Sequence, residues 1–235
     1  MFAATLGYNN VELKDATDTA NTKNIELGVS YNHGNGLIAA LGYTLSTSES
    51  EASSVTRDVD YNTLRIGAGY QNWNNKDGYS VEVSYAMNSD EKGDVVSGGF
   101  ASVEKSSDIV FQGTYATGAL EFDGALTIGS DENTQTGTES ETDRMVLDVA
   151  AEYEINSNIY AFAGFKKDSD EKTTTATKVV EEETLNTIKL GAGYRTAQFG
   201  ANLELNKVSG EDTETGSTTT DKDGMGWAVA FAYNF

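Results

Sequence analysis

Large apolar side chains fall on alternate residues along most of this chain, and the pattern persists to its end. The closing stretch reads Gly226-Trp227-Ala228-Val229-Ala230-Phe231-Ala232-Tyr233-Asn234-Phe235. A period of two puts one set of side chains on one face of a strand and the other set on the opposite face. A helix would scatter the same residues around its axis. The alternation is clearest in 25–31, 64–70, 79–85, 147–153, 188–194 and 199–205, and weaker in 37–49, 107–117, 119–130 and 158–168. With both chain ends included, this predicts about twelve strands of about ten residues, the length needed by a tilted strand that crosses a bilayer.

Composition narrows the choice. The mean hydropathy is −0.44, and no run approaches the ~18 apolar residues that mark a spanning helix. A membrane barrel escapes that test, because only every second residue meets lipid. The chain has neither proline nor cysteine. Proline cannot donate to a ladder, and a closed sheet has no edge to shelter it. Without cysteine there are no disulfides and no thiolate metal sites. The net charge of −21 excludes nucleic acid as a partner, since phosphate contacts need clustered Lys and Arg.

The expected connections alternate in length. Tight turns fall at His33–Gly36, Trp73–Gly78, Thr117-Gly118, Asn156-Ser157 and Thr196-Ala197. Several carry Asn or Gly, which tolerate the positive φ of hairpin turns. Long hydrophilic loops are expected at 14–23, 46–60, 88–106, 131–142, 169–184 and 211–224. Ten tyrosines (Tyr8, Tyr31, Tyr43, Tyr70, Tyr79, Tyr85, Tyr115, Tyr153, Tyr194 and Tyr233) sit at or near strand ends on the apolar side, as in interfacial girdles.

In pattern, in alternating connection lengths and in the Tyr233-Asn234-Phe235 ending, the chain resembles Gram-negative outer-membrane porins over nearly its whole length. The resemblance implies a single domain over 1–235, an all-β transmembrane antiparallel up-and-down barrel with short periplasmic turns and long extracellular loops. A terminal Phe in such barrels belongs to the signal read by the assembly machinery. The implied location is the bacterial outer membrane, among lipid and lipopolysaccharide. Met1 then reads as a start codon on a mature sequence without its signal peptide. About twelve strands is fewer than the sixteen of general porins, which leaves a homotrimer and a monomer equally open. Twelve strands come closer to the narrower channels for acidic sugars or nucleosides, although the former are expected to have basic lumens.

The wet face predicts the pore wall. Its charged and amide residues are Glu26, Arg65, Glu82, Gln112, Glu121, Asp123, Asp148, Glu152, Lys166, Lys189, Arg195, Asn202 and Glu204. Between them stand small residues, including Gly67, Gly69, Gly191 and Gly193, which are expected to leave the lumen open. Acids outnumber bases, and acidic rings favour cations. The acids concentrate on strands five to eight and the bases on strands nine and ten, a split that would set a field across the pore. The third long loop is apolar, and in general porins that loop folds inward. By resemblance Val95, Val96, Phe100 and Val103 would form a constriction; the alternative is a strand pair extended above the membrane and closed at Gly98-Gly99.

Nothing in the chain assembles a catalytic, metal or cofactor site. His33 is the only histidine, in a short turn, and supports no Ser-His-Asp arrangement. Ser89–Asp94 and Asp168–Glu171 carry oxygen ligands without the full pattern of a calcium loop. Gly67-Ala68-Gly69 and Gly191-Ala192-Gly193 lie inside strands, so they are not dinucleotide fingerprints. The function expected is passive diffusion of ions and small hydrophilic solutes, with cations preferred. The alternatives are a non-conducting structural or adhesive barrel with acidic extracellular loops, and an outer-membrane hydrolase on the same scaffold.

Overall fold

A computed structural model describes residues 1–14, 18–34, 36–52, 55–92, 102–135, 138–175, 177, 179–217 and 219–233. The terminal Phe235 therefore lies outside the described residues.

Twelve strands follow one another: β1 (Phe2–Lys14), β2 (Asp18–Asn32), β3 (Leu37–Ala52), β4 (Val55–Asn74), β5 (Asp77–Lys92) and β6 (Ser102–Thr117), then β7 (Leu120–Gln135), β8 (Thr138–Glu154), β9 (Ile159–Thr174), β10 (Val179–Arg195), β11 (Phe199–Glu214) and β12 (Thr220–Tyr233). Each pairs antiparallel with the next, so a single sheet runs in sequence order from β1 to β12. This is the up-and-down architecture, strand count and all-β class expected from the alternation. Eleven ladders join the sheet, and among the described residues none joins β1 to β12.

The strands are longer than expected. They run from 13 to 20 residues, well beyond the ~10 that cross a bilayer. Most of the segments expected as long loops are strand: 46–52, 55–60, 88–92, 102–106, 138–142, 169–174 and 179–184 all sit in ladders. Their Thr- and Ser-rich sequence is hydrophilic on both faces, which erases the alternation without preventing pairing. The length asymmetry is therefore carried by strand overhang beyond the apolar band at one end, opposite the turn end.

At the turn end the connections are tight. The β4–β5 turn is Asn75-Lys76, with Asn75 in the left-handed region at φ 57°, and the β6–β7 turn is Gly118-Ala119, with Gly118 at φ 60°. In the β8–β9 connection the Asn156 side-chain oxygen accepts from the Asn158 and Ile159 amides (2.9 and 3.0 Å), an Asx turn.

The chain has almost no core. Among the described residues only Ala116 and Thr63 are buried, each 6% exposed. The accessible surface is 15432 Å² for 25.1 kDa, against about 10,000 Å² for a soluble globular protein of that mass. Meanwhile Leu6, Trp227 and Phe231 are 77%, 73% and 72% exposed. Apolar area on this scale is stable only against lipid or a partner surface.

Candidate functional site: the polar wall

The ladder registers settle which residues share a face. One row runs Glu82↔Gln112↔Ala125↔Asp148↔Lys166↔Thr187 across β5–β10. Counting by twos from this row, all thirteen polar residues expected in the pore wall fall on the same face: Glu26, Arg65, Glu82, Gln112, Glu121, Asp123, Asp148, Glu152, Lys166, Lys189, Arg195, Asn202 and Glu204. This polar face is the concave one. Ion pairs on it reach across an intervening strand, Arg144 of β8 to Asp108 of β6 and Arg195 of β10 to Glu152 of β8, and a cavity of about 510 Å³ is bounded by Ile38 of β3, Glu82, Gln112, Asp123 and Asp148 of β8.

The opposite face carries the apolar band, closed toward the turn end by an aromatic belt. Ring centroids lie 4.4 Å apart in Phe2–Tyr31, 6.0 Å in Tyr70–Tyr79 and 6.5 Å in Tyr194–Phe199. All ten tyrosines singled out in the sequence are on this face by register. Such rings sit at the headgroup level because they are apolar with a polar tip.

On the polar wall, acids and bases find different partners. Glu82 accepts from the Gln112 amide at 3.2 Å, and Asp123 from the Thr114 hydroxyl at 2.7 Å. The bases take carboxylates: Lys166 with Asp168 at 2.8 Å, Lys189 with Glu204 at 4.0 Å, and Arg195 with Glu152 at 2.8 Å and Glu154 at 2.7 Å. The segregation expected from the sequence is thus weaker than a strand-by-strand count implies. Lys166, Lys189 and Arg195 are neutralised locally, whereas Glu82 and Asp123 keep neutral partners.

Four residues that sequence reasoning did not single out belong to this wall. Tyr160 and Phe162 of β9 stack at 6.2 Å on the polar side. A Cβ on Gly193 would come within 2.6 Å of Tyr160, and one on Gly191 within 2.5 Å of both Phe162 and the Leu203 carbonyl oxygen. Contrary to the expectation that Gly191 and Gly193 leave the lumen open, they make room for two rings. The third and fourth residues are Lys76, in the β4–β5 turn, and Glu154, at the end of β8, paired at 2.7 Å. The alternation of aromatics with Ala in Ile159–Ala163 signalled a strand but not which face was polar. A turn lysine gave no signal at all.

At the overhang end a second set of charges lies on the same face. Arg144 binds Asp108 at 2.7 Å and Asp131 at 3.3 Å, bridging β6, β7 and β8. Lys222 binds Glu183 at 2.6 Å and Asp212 at 3.3 Å, bridging β10, β11 and β12. The hydrogen bond to Glu183 raises the Lys222 ammonium above its ordinary value. Burial raises the Asp170 carboxyl. Of the expected constriction, Val95, Val96 and Phe100 lie outside the described residues, while Val103 is in β6, paired with Glu91 of β5.

No family model matches the sequence, and no curated protein matches it. Solved structures do. The ferric preacinetobactin receptor BauA from Acinetobacter baumannii is matched over 97% of this chain and 55% of its own, at 8% identity and a TM-score of 0.57. The chain has the outer-membrane β-barrel fold. The ferric citrate transporter FecA in its unliganded form matches over 99% of this chain and 51% of its own, at 9% identity and a TM-score of 0.52. This chain therefore spans about half the length of both. The KdgM porin in complex with disordered oligogalacturonate is aligned over 99% of each chain, at 15% identity and a TM-score of 0.31.

Proposed function

We propose that this protein is an outer-membrane porin, a passive diffusion channel for ions and small hydrophilic solutes that prefers cations. The observation that carries the reading is a single concave face holding thirteen polar residues, backed by a continuous apolar band with almost nothing buried between them. A sheet with one face suited to lipid and the other to water, and with no core to defend, encloses an aqueous path. The excess of acids on that face supports cation preference, because Glu82 and Asp123 meet neutral donors while Lys166, Lys189 and Arg195 are each matched by a carboxylate. The reading includes no enzymatic step. The apolar band would face lipid and lipopolysaccharide.

Single-channel recording of the refolded chain in a planar bilayer, in asymmetric KCl, tests this. Steady ohmic steps with a reversal potential toward K⁺ are expected, and Glu82→Gln with Asp123→Asn and Asp148→Asn should move that potential toward zero. A folded, inserted barrel that passes no current would discard the channel and leave the non-conducting adhesive barrel.

A further inference from the structure

We infer that the selectivity of this channel is set at its periplasmic mouth, by a charged strap built on Lys76, Glu154, Arg195 and Glu152. This rests on the channel reading above. Between β5 and β8 lie three interstrand steps, about 14 Å along the wall. The Lys76 ammonium nevertheless reaches the Glu154 carboxylate at 2.7 Å. A lysine and a glutamate extended toward each other cover just such a span, so the pair forms a chord across the curve of the mouth. It crosses over the β6–β7 turn, which is held on both flanks: the Gly118 amide donates to Asp77 at 2.5 Å and the Glu154 amide to the Ala119 carbonyl at 2.7 Å.

The strap continues. Glu154 also accepts from Arg195, whose other nitrogen binds Glu152. The Arg195 guanidinium lies 4.7 Å from the centre of the Tyr160 ring. Its backbone is tied to the β8–β9 turn, its amide donating to the Asn158 carbonyl at 2.7 Å and its carbonyl accepting from the Asn158 side chain at 2.9 Å. Three of the five turn-end connections and the end of β10 are thereby joined in one network. Under it is a cavity of about 280 Å³ bounded by Trp73, Glu121, Glu152, Glu154, Lys76 and Arg195. Among the described residues, the ion pairs at the overhang end reach across one intervening strand at most, Arg144 to Asp108 and Lys222 to Glu183, whereas Lys76–Glu154 spans from the β4–β5 turn to β8. Charged side chains that ring the mouth of a pore bias which ions enter it. Three carboxylates against two cations leave the mouth acidic.

The test compares wild type, Glu152→Gln with Glu154→Gln, and Lys76→Cys in planar bilayers, with heat-modifiable gel mobility as the folding check. The double substitution reverses the sign of the mouth and should lower the K⁺/Cl⁻ permeability ratio several-fold. The chain has no native cysteine, so a sulfonated thiol reagent added on the turn side should change the current of the Lys76→Cys channel alone. An unchanged permeability ratio in a conducting double variant, or a Lys76→Cys current indifferent to the reagent, would overturn the strap and leave the channel standing. If wild type itself passes no current, the channel reading falls, and the strap with it.

Discussion

Gly191 and Gly193 show how a single absent methyl group shapes the wall. Both accept an aromatic ring from β9, and at Gly191 a side chain would also strike backbone. Gly191→Ala should therefore destabilise the refolded protein by about 1–3 kcal/mol, the usual cost of overpacking. Gly42 faces nothing within 4 Å, so Gly42→Ala should stay within about 0.5 kcal/mol. Urea denaturation in detergent compares the two. Glu154 carries a second residue-scale prediction. Hydrogen bonds from Lys76 first, then Arg195, hold its carboxyl below the ordinary carboxylate range. A carboxylate whose pKa is lowered on folding contributes stability above its unfolded value, and that contribution is lost as pH falls through the folded one. Lys76→Ala removes part of the lowering, so its acid-unfolding midpoint should lie at higher pH than wild type, followed by tryptophan fluorescence.

At the scale of the strand, the two faces make opposite demands on neighbouring positions. Val83 of β5 lies opposite Ala68 and Phe111 on the apolar face, and Ser84 beside it lies on the polar one. Val83→Arg should cost about 2–4 kcal/mol near mid-bilayer, whereas Ser84→Arg should fold and alter conductance instead. Equal losses for the two would mean that the faces are wrongly assigned. Alternation made this assignment legible for β2, β4, β5, β10 and β12 without a structure. It failed beyond the apolar band, where Thr, Ser, Asp and Glu occupy both faces of β3 and β8, so strand read as loop.

For the molecule as a whole, the edges decide the outcome. An unpaired strand edge in hydrocarbon leaves backbone amides and carbonyls unsatisfied at several kcal/mol each. In a bilayer β1 and β12 should accordingly pair. The polar-face positions Ala3, Thr5 and Gly7 can be combined as cysteines with Ala228 and Ala230. At least one pair should give an oxidised product that migrates as a monomer on a gel. A product that migrates only as a dimer would mean that the edges are closed by a second copy.

The sequence by itself determined the number and order of the strands, the apolar and polar faces and the acidic excess, because a two-residue period and formal charge are local properties. It also excluded spanning helices and thiolate sites. The tertiary structure decided what depends on curvature and register. It set the Lys76–Glu154 chord across three interstrand steps, the local neutralisation of Arg195, and the seating of Tyr160 and Phe162 over glycines of the next strand. Those partners stand 29 to 78 residues apart in the chain, and no period in the sequence relates them; the register of the ladders and the bending of the sheet bring them within reach.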